Sequence, residues 1–389
     1  MLNPGYGITI ETPEQLVERY EYPREMSIAL GRRGFPVTVV QGFHSDGRFE
    51  AANLDYFLYQ TDREQLGERS YFREGSDRRT VVVPKLTPAM LNRVEELAPD
   101  VVHVPSIALY FVLDPLLRLC EQLRIPVSGS YHGGLPARWF WRRSRQRDVL
   151  SRMSAFFFNS DEQAEPWLSS GVIADRSKIV LCAETSSTFQ RMPKQECREA
   201  MSIAGDPVFL WAGRLIPQKD PLTALRAFSQ IAAELPRASL YIAYVEHSML
   251  REIREYISHR SHLRHRVHLR SEQSRKEMEL LMNAADFLLQ TSLREVAGRT
   301  VLEAMACATL PLLSDIPAFR ALSKNGKYGL LFPPGDPHSL AAAVLDVVRG
   351  EKQRLEDRVH DHFRRELTFD SIAATYADTF QRLVNSLNR

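Results

Sequence analysis

Short apolar runs alternate with amphipathic stretches along most of the chain. In the first half, the strand-like runs are 37–43, 81–84, 101–106, 125–133, 155–160 and 178–183. Helical periodicity fills the intervals, as in 24–34, 87–99 and a stretch that ends near residue 124. The runs are rich in β-branched and aromatic residues and show little polar alternation. They therefore predict parallel strands that helices cover on both faces.

The same alternation begins again in the second half. Its strand-like runs are 207–214, 239–245, 266–271, 286–292, 310–314 and 329–332. Helices are predicted at 220–234, 248–258, 274–284 and 299–307, and a polar linker near 184–206. The fold class that follows is α/β, with two Rossmann-like doubly wound domains facing a cleft. The predicted bounds are 1–190 for the first domain and 191–369 for the second, with a C-terminal helix in 370–389 that can pack back on the first domain.

The composition and charge of the chain exclude several classes of protein and several kinds of site. The length of 389 residues suits two domains, and 44% hydrophobic with 25% charged residues is typical of a globular chain. The net charge of +2 favours no particular partner, and the four cysteines lack the spacing of a zinc site. A signal peptide and a membrane-spanning segment are not expected. We expect a cytoplasmic protein, at most peripheral at the inner membrane surface.

A first candidate site follows the strand in PVFLWAGRLIPQKD (207–220). Gly213 ends the apolar run, Arg214 comes next, and Lys219 lies just before the following helix. In open parallel sheets, ligands bind beyond the carboxyl ends of the strands. Two cations beside a helix N-terminus can hold a diphosphate, although an isolated arginine and lysine are more often plain surface charges.

A second candidate site lies in REVAGRTVLEAMAC (294–307). Glu295 falls in the loop after a predicted strand, Glu303 falls about one turn inside the next helix, and Gly298 lies where the loop enters that helix. Carboxylates accept several hydrogen bonds and suit ligands rich in hydroxyl groups. Taken alone, two such glutamates more often form a solvated helix surface.

Together the two segments resemble the signature of glycosyltransferase family 4, a retaining family of GT-B-type fold also called glycosyl transferases group 1. GRLIPQKD resembles its Gly-Arg-Leu…Lys element, and EVAGRTVLEAMAC resembles its Glu-x7-Glu element. The segment 314–344 also follows the family pattern. The resemblance is strong over about 205–350 and weaker over 24–190.

The resemblance implies that domain 1–190 lies on the acceptor side and that domain 191–369 binds the nucleotide-sugar donor, and it implies a role for each matching residue. Glu295 would hold donor-sugar hydroxyls at the reacting centre, and Glu303 would bind the nucleotide ribose. The residues implied at the donor diphosphate are Arg214, Lys219, Gly298 and Arg299.

The first half contributes two further candidates by resemblance. His132, in YHGG after a predicted strand, matches the family's His-Gly element and would hydrogen-bond the sugar or relay a proton; a structural histidine is the ordinary alternative. Gly5 and Gly7 are candidates for an N-terminal glycine loop near the phosphates, although a GxG sequence is more often a simple turn.

The resulting function is a retaining, metal-independent glycosyltransferase. Its partners would be a nucleotide-sugar donor, with UDP favoured over GDP, and a hydroxyl acceptor such as a cell-envelope glycan, a glycolipid or a small metabolite. No D-x-D triplet is present, so no metal or other cofactor is expected. Nucleic-acid binding is not expected, since no recognised module frames the basic residues.

Two alternatives stay open, of which departures from the family pattern support the first and the shared two-domain architecture supports the second. Ala297 stands in place of phenylalanine, Ala308 in place of glycine, AETSS (183–187) in place of Pro-Asn-Gly-Val-Asp, and YVEHS (244–248) in place of a glycine-rich turn. A non-catalytic homologue that binds or partners an active enzyme is one alternative. A nucleotide-sugar epimerase of similar architecture is the other.

One further segment with an unusual composition lies outside the motifs that resemble a donor site. LPARWFWRRSRQR (135–147) combines aromatic residues with five arginines. It fits either a peripheral contact with a membrane surface or a solvated helix whose aromatic residues lie in the acceptor cleft.

Overall fold

The computed structural model describes residues 1–3, 11–19, 21–60, 86–350 and 352–387. Gly5, Gly7 and the strand predicted at 81–84 lie outside these ranges. The chain divides into two units, of which the first comprises Met1–Thr185 together with Phe369–Arg389 and the second comprises Ser186–Thr368. The chain therefore passes from the first unit into the second near residue 185, where the sequence predicted the boundary at 190.

The elements follow the predicted alternation closely. The strands are β1 (Leu2–Asn3), β2 (Thr38–Phe43), β3 (Gly47–Ala51), β4 (Leu54–Gln60), β5 (Val102–Val104), β6 (Val127–Ser130), β7 (Ala155–Phe158), β8 (Ile179–Leu181), β9 (Val208–Arg214), β10 (Ser239–Val245), β11 (Val267–Ser271), β12 (Phe287–Gln290), β13 (Leu310–Ser314) and β14 (Leu330–Phe332). The helices are α1 (Pro13–Arg19), α2 (Glu21–Gly31), α3 (Pro88–Leu97), α4 (Tyr110–Gln122), α5 (Phe140–Ser151), α6 (Asp161–Ser169), α7 (Lys194–Ala200), α8 (Pro221–Glu234), α9 (Leu250–Ser258), α10 (Arg275–Ala284), α11 (Arg299–Ala306), α12 (Pro317–Ser323), α13 (Pro337–Val348), α14 (Lys352–His362) and α15 (Phe369–Leu387).

In the described part of the first unit, the strands form two four-stranded sheets, in the orders β1-β2-β4-β3 and β5-β6-β7-β8. All pairs are parallel except β3 with β4, a hairpin that the sequence reading did not anticipate. Its two connecting residues, Ala52 and Asn53, have φ of 53° and 61°. Two positive φ values in a two-residue loop match the twist of antiparallel strands, which explains the local reversal.

The second unit has one six-stranded sheet, in the order β11-β10-β9-β12-β13-β14, and every pair in it is parallel. The apolar run Val208–Ala212 of β9 is buried throughout. Helices cover both faces of such a sheet, which is why its strands carry continuous apolar runs without alternation. The order of the strands places the carboxyl ends of β10, β9 and β12 side by side.

The last helix, α15, belongs to the first unit. Its apolar stripe, which includes Ile372 and Tyr376, packs in one cluster with Met26 and Leu30 of α2. The ring of Tyr376 stacks on Phe157 of β7, with the ring centroids 3.8 Å apart. The chain thus completes the core of the first unit only after it has traversed the second.

Candidate active site

The turn after β9 is tied to the loop after β12. Leu293 N–H donates to the carbonyl of Gln218 at 2.9 Å, and the Thr291 hydroxyl donates to the carbonyl of Asp220 at 2.7 Å. The indole of Trp211, inside β9, donates in turn to the Thr291 hydroxyl at 3.1 Å. These bonds fix the two predicted donor-site segments against each other at the carboxyl edge of the sheet.

Lys219 and Glu295 form an ion pair across these two segments. Their side chains are 18% and 14% exposed, so the pair is largely removed from water. The Ser292 hydroxyl also donates to Glu295 Oε1, at 2.9 Å. The resemblance assigned the lysine to the diphosphate and the glutamate to the sugar, which are adjacent parts of a nucleotide-sugar. The structure brings the two side chains into direct contact.

Arg214, the last residue of β9, is half-exposed and faces a carboxylate from the neighbouring strand. Glu246 follows β10 directly, with φ of 67°, and its Oε2 lies 3.9 Å from Arg214 Nη1. At that distance the two groups attract each other without a hydrogen bond. The sequence reading missed Glu246, although it lies within the YVEHS departure.

Gly298 is the N-cap residue of α11 and adopts the left-handed conformation, with φ of 65° and ψ of 42°. A Cβ atom at this position would lie 2.9 Å from Leu322 Cδ1 and 3.1 Å from Phe319 Cε1. Both the backbone conformation and the close packing therefore favour glycine. The glycine lets the loop turn into α11, whose N-terminus carries a partial positive charge.

Arg299 and Glu303 lie one turn apart on α11 and contact each other. Arg299 Nε donates to Glu303 Oε1 at 3.1 Å, and the glutamate is the more buried partner. The predicted diphosphate arginine and the predicted ribose carboxylate are therefore joined within one helix.

His132 belongs to the first unit, just beyond β6. Its Nδ1 lies 2.7 Å from Glu184 Oε1. Glu184 is itself held by Asn159, whose Oδ1 accepts from Glu184 N–H at 2.6 Å and whose Nδ2 donates to Glu184 Oε2 at 3.3 Å. Among the described residues, the buried Nε2 of His132 has no hydrogen-bond partner. A buried ring nitrogen without a partner suggests a ligand group that completes it.

The sequence reading also missed Glu184. Its position in AETSS (183–187) was noted only as a departure from the family pattern, which gave no reason to expect a functional carboxylate there. Two of the departures, around Glu184 and Glu246, thus each place a carboxylate beside a predicted site residue. Without the tertiary structure nothing connects either glutamate to its partner, because both contacts join separate segments of the chain.

Within the described residues, no group of three or more histidine, cysteine, aspartate or glutamate side chains is arranged to hold a metal ion. Metal independence remains a prediction. The N-terminal glycine loop, Gly5 and Gly7, lies outside the described residues.

Two family models match the chain in succession. The model described as Glycosyltransferase Family 4 matches residues 21–183. The model described as Glycosyl transferases group 1 matches residues 194–359. The second match contains every predicted donor-site residue outside the N-terminal loop.

Curated relatives match over part of their length. D-inositol 3-phosphate glycosyltransferase from Thermobispora bispora is 27% identical over 188 residues, which are 45% of this chain and 42% of that protein. GDP-mannose:cellobiosyl-diphosphopolyprenol alpha-mannosyltransferase from Xanthomonas campestris is 25% identical over 254 residues, 63% of either chain. The chain thus spans less than two thirds of each of these relatives.

A solved structure matches over the whole length. The crystal structure of Anabaena Alr3699/HepE in complex with UDP and glucose has a TM-score of 0.61 and 16% identity, and the match covers 100% of this chain and 98% of that one. At this identity the likeness shows the fold alone, which is of the GT-B type with Rossmann-like α/β units. The two successive family matches, with the motif residues in their expected order, show that this chain belongs to glycosyltransferase family 4, the glycosyl transferases of group 1.

Proposed function

We propose that the protein is a retaining glycosyltransferase that moves a sugar from a nucleoside-diphosphate donor to a hydroxyl acceptor without a divalent metal. We further propose that it works in the cytoplasm and that UDP is favoured over GDP as the donor nucleotide. The solved relative in complex with UDP and glucose supports the choice of UDP, whereas the Xanthomonas relative is named for GDP-mannose.

One observation carries the proposal. Arg214, the Lys219–Glu295 pair and the glycine-capped start of α11 come from segments that follow neighbouring parallel strands. Cations beside a helix N-terminus suit a diphosphate, and a carboxylate next to them suits sugar hydroxyls. This is the composition that a nucleotide-sugar requires.

The same groups fit the charge that develops during transfer. As the bond between the anomeric carbon and the diphosphate oxygen breaks, negative charge grows on the diphosphate, where Arg214 and Lys219 would stabilise it. By the family resemblance, the acceptor oxygen forms its new bond on the face that the diphosphate leaves, and a diphosphate oxygen takes the acceptor proton. Configuration at the anomeric carbon is then retained.

We assign Glu184 a positioning role toward His132. A carboxylate only accepts hydrogen bonds, so the proton in the 2.7 Å contact lies on Nδ1 of the histidine. In the neutral ring, Nε2 is then the acceptor and would receive a hydrogen bond from a sugar hydroxyl. Asn159 holds Glu184 at both its backbone and its carboxylate, so the histidine ring is fixed before substrate binds.

The test is a nucleotide screen on purified protein, comparing wild type with Arg214→Ala. UDP, GDP, ADP and their sugars are added and thermal stability is followed, since a ligand at a hundred times its Kd stabilises by about 2.7 kcal/mol. We expect one nucleotide to stabilise the wild type, and the variant to lose the shift and about tenfold to a hundredfold of its turnover. Arg251→Ala, at an exposed position of the same unit, is the matched control.

The outcomes separate the alternatives. Nucleotide binding without transfer to any acceptor, in a broad panel, would favour a non-catalytic homologue. Conversion of the donor sugar in the absence of acceptor would identify an epimerase. Activity that is abolished by EDTA and restored by Mg²⁺ would contradict metal independence, and inversion at the anomeric carbon would contradict the retaining mechanism.

A further inference from the structure

The start of α5 exposes an unusual amount of apolar surface. Leu135 is 60% exposed, Trp139 64%, Phe140 82% and Trp141 53%. Large apolar side chains grouped in this way on a protein surface mark an interaction site. We call the segment 135–147 the aromatic tip.

The aromatic tip is held in a defined shape. Gln146, buried on the inner side of α5, accepts a hydrogen bond from Ala137 N–H at 2.9 Å. Arg143 donates to the carbonyls of Ala137 at 3.0 Å and Arg138 at 3.2 Å. These hydrogen bonds hold the preceding loop against α5 and leave the aromatic side chains exposed. The aromatic side chains are therefore exposed on a segment that hydrogen bonds hold in place, not on a frayed helix end.

The charged residues of the aromatic tip are all basic. The segment 135–147 contains five arginines and no acidic residue, whereas the whole chain carries a net charge of only +2. The Arg142 guanidinium lies 4.8 Å from the centroid of the Trp141 ring, so basic and aromatic groups are interleaved. An anionic surface with an apolar layer beneath it satisfies both groups at once.

The arrangement of the aromatic residues favours a bilayer over a protein partner. Trp139 is the N-cap residue of α5 and has an extended backbone, and Phe140 and Trp141 are the first two helical residues, whose side chains point about 100° apart around the helix axis. A partner helix or groove meets one stripe of a helix, at i and i+3 or i+4, and would leave at least one of the three exposed. A lipid interface surrounds the tip from every side. Tryptophan is also the residue most enriched at the depth of the headgroups.

We propose that the aromatic tip is a peripheral membrane contact, in which Trp139, Phe140 and Trp141 enter the headgroup region of an anionic bilayer and the arginines bind lipid phosphates. In the described part of the chain, every helix is too short or too polar to cross a membrane. The proposed contact is with the headgroup region of one leaflet. It does not depend on the proposed transferase activity.

Vesicle flotation with intrinsic fluorescence tests the proposal. The chain has four tryptophans, of which Trp167 and Trp211 are buried at 1% and 0% exposure. A blue shift on addition of vesicles therefore reports on Trp139 and Trp141. We expect flotation and a blue shift with phosphatidylglycerol/phosphatidylcholine vesicles at low salt, and at least tenfold weaker binding with phosphatidylcholine alone.

Three variants sharpen the test. Trp139→Ala with Trp141→Ala should weaken binding at least tenfold, and Arg142→Gln about fivefold. Trp139→Phe with Trp141→Phe should keep most of the binding and lose the blue shift. Leu387→Ala, at an exposed apolar position on α15, and Arg251→Gln are controls that should bind like the wild type.

Absence of flotation and of a blue shift with anionic vesicles would overturn the proposal. So would vesicle binding that the tryptophan-to-alanine variant leaves unchanged. Self-association of the wild type without vesicle binding, abolished by the same variant, would assign the tip to a second copy of the chain instead. Because the substituted side chains are exposed, unchanged melting temperatures are expected and verify that each variant is folded.

Discussion

Two carboxylates, Glu184 and Glu246, change the interpretation of the departures from the family pattern. Judged from the sequence, each departure removes a familiar turn and argues for lost function. In the structure, each places a carboxylate beside a basic side chain of the predicted site: Glu184 contacts His132 at 2.7 Å, and Glu246 attracts Arg214 across 3.9 Å. The departures are therefore consistent with an altered site that keeps its polar organisation.

Replacing Glu184 by glutamine tests its positioning role. The amide can donate as well as accept, so the tautomer and ring orientation of His132 are no longer fixed. We expect Glu184→Gln to lower kcat about tenfold and to leave the nucleotide-induced thermal shift unchanged, because the residues proposed to bind the nucleotide belong to the second unit. Steady-state kinetics and thermal shift measure the two quantities.

Glu184→Asp serves as the conservative comparison. It keeps the charge and should recover part of the lost kcat. An equal loss in both variants together with a lower melting temperature would indicate a purely structural contact, and unchanged kcat in Glu184→Gln would remove Glu184 from the site.

At the scale of the element, the start of α11 depends on one residue. Gly298 combines a left-handed backbone with close packing against Phe319 and Leu322 of α12. A Cβ atom there would force either these side chains or the backbone at the start of α11 to shift. The glycine therefore links the packing of two helices to the geometry of the predicted donor site.

Gly298→Ala should destabilise the second unit and weaken nucleotide binding. The left-handed backbone alone costs about 1–2 kcal/mol for a residue with a Cβ atom, and the 2.9 Å approach to Leu322 adds to it. Urea unfolding and nucleotide titration measure the two effects. Gly31→Ala is the control, because Gly31 is a helical residue of α2 and an added Cβ atom there would meet no other atom within 4 Å. This variant should be neutral or more stable than the wild type by up to about 1 kcal/mol. Wild-type stability and binding in Gly298→Ala would contradict the requirement for glycine.

At the scale of the whole molecule, a buried carboxylate joins both ends of the second unit to its sheet. Asp286 precedes β12 and accepts from Lys194 of α7 at 2.9 Å, from Lys352 of α14 at 2.5 Å and from Val208 N–H of β9 at 2.7 Å. Burial by itself would raise the pKa of Asp286, but the two lysines and the backbone N–H outweigh it and hold that pKa well below its ordinary value.

Asp286→Asn should lower the free energy of unfolding by about 2–4 kcal/mol at neutral pH, since Arg198 loses its carboxylate partner and Lys194 and Lys352 keep only Glu356 as a buried counter-ion. Because the folded-state pKa is depressed, this stabilisation is fully present above the unfolded-state pKa, about 3.9, and fades as the pH falls below it. The difference between wild type and variant should therefore be constant from pH 8 to about pH 5 and shrink at lower pH. Denaturant unfolding across that range measures it.

The exposed Asp346→Asn in α13 is the control and should change stability by less than about 0.5 kcal/mol. A difference between wild type and Asp286→Asn that persists unchanged at pH 3 would show that the carboxylate acts through packing rather than charge.

The return of α15 also acts at this scale. Its core contacts with α2 and β7 make the first unit depend on residues that follow the whole second unit in the chain. The sequence predicted a C-terminal helix in 370–389 that can pack back on the first domain, and the apolar stripe of α15 packs in the core of the first unit.

The alternation of strands and helices follows from local sequence, because buried parallel strands need continuous apolar runs and their covering helices need one apolar face. Local chain order also places Arg214 at the end of one strand and Glu295 in the loop after another, so the predicted donor motifs could be located without a structure. Which charges meet depends on the tertiary structure. The Lys219–Glu295, Arg214–Glu246 and His132–Glu184 contacts join segments that are distant in the chain, and they depend on strand order and loop path, which local patterns do not encode. The same holds for 135–147, whose basic and aromatic composition is evident from the sequence. That its aromatic residues face outward depends on the hydrogen bonds of Gln146 and Arg143 to the backbone of Ala137 and Arg138, which only the structure shows.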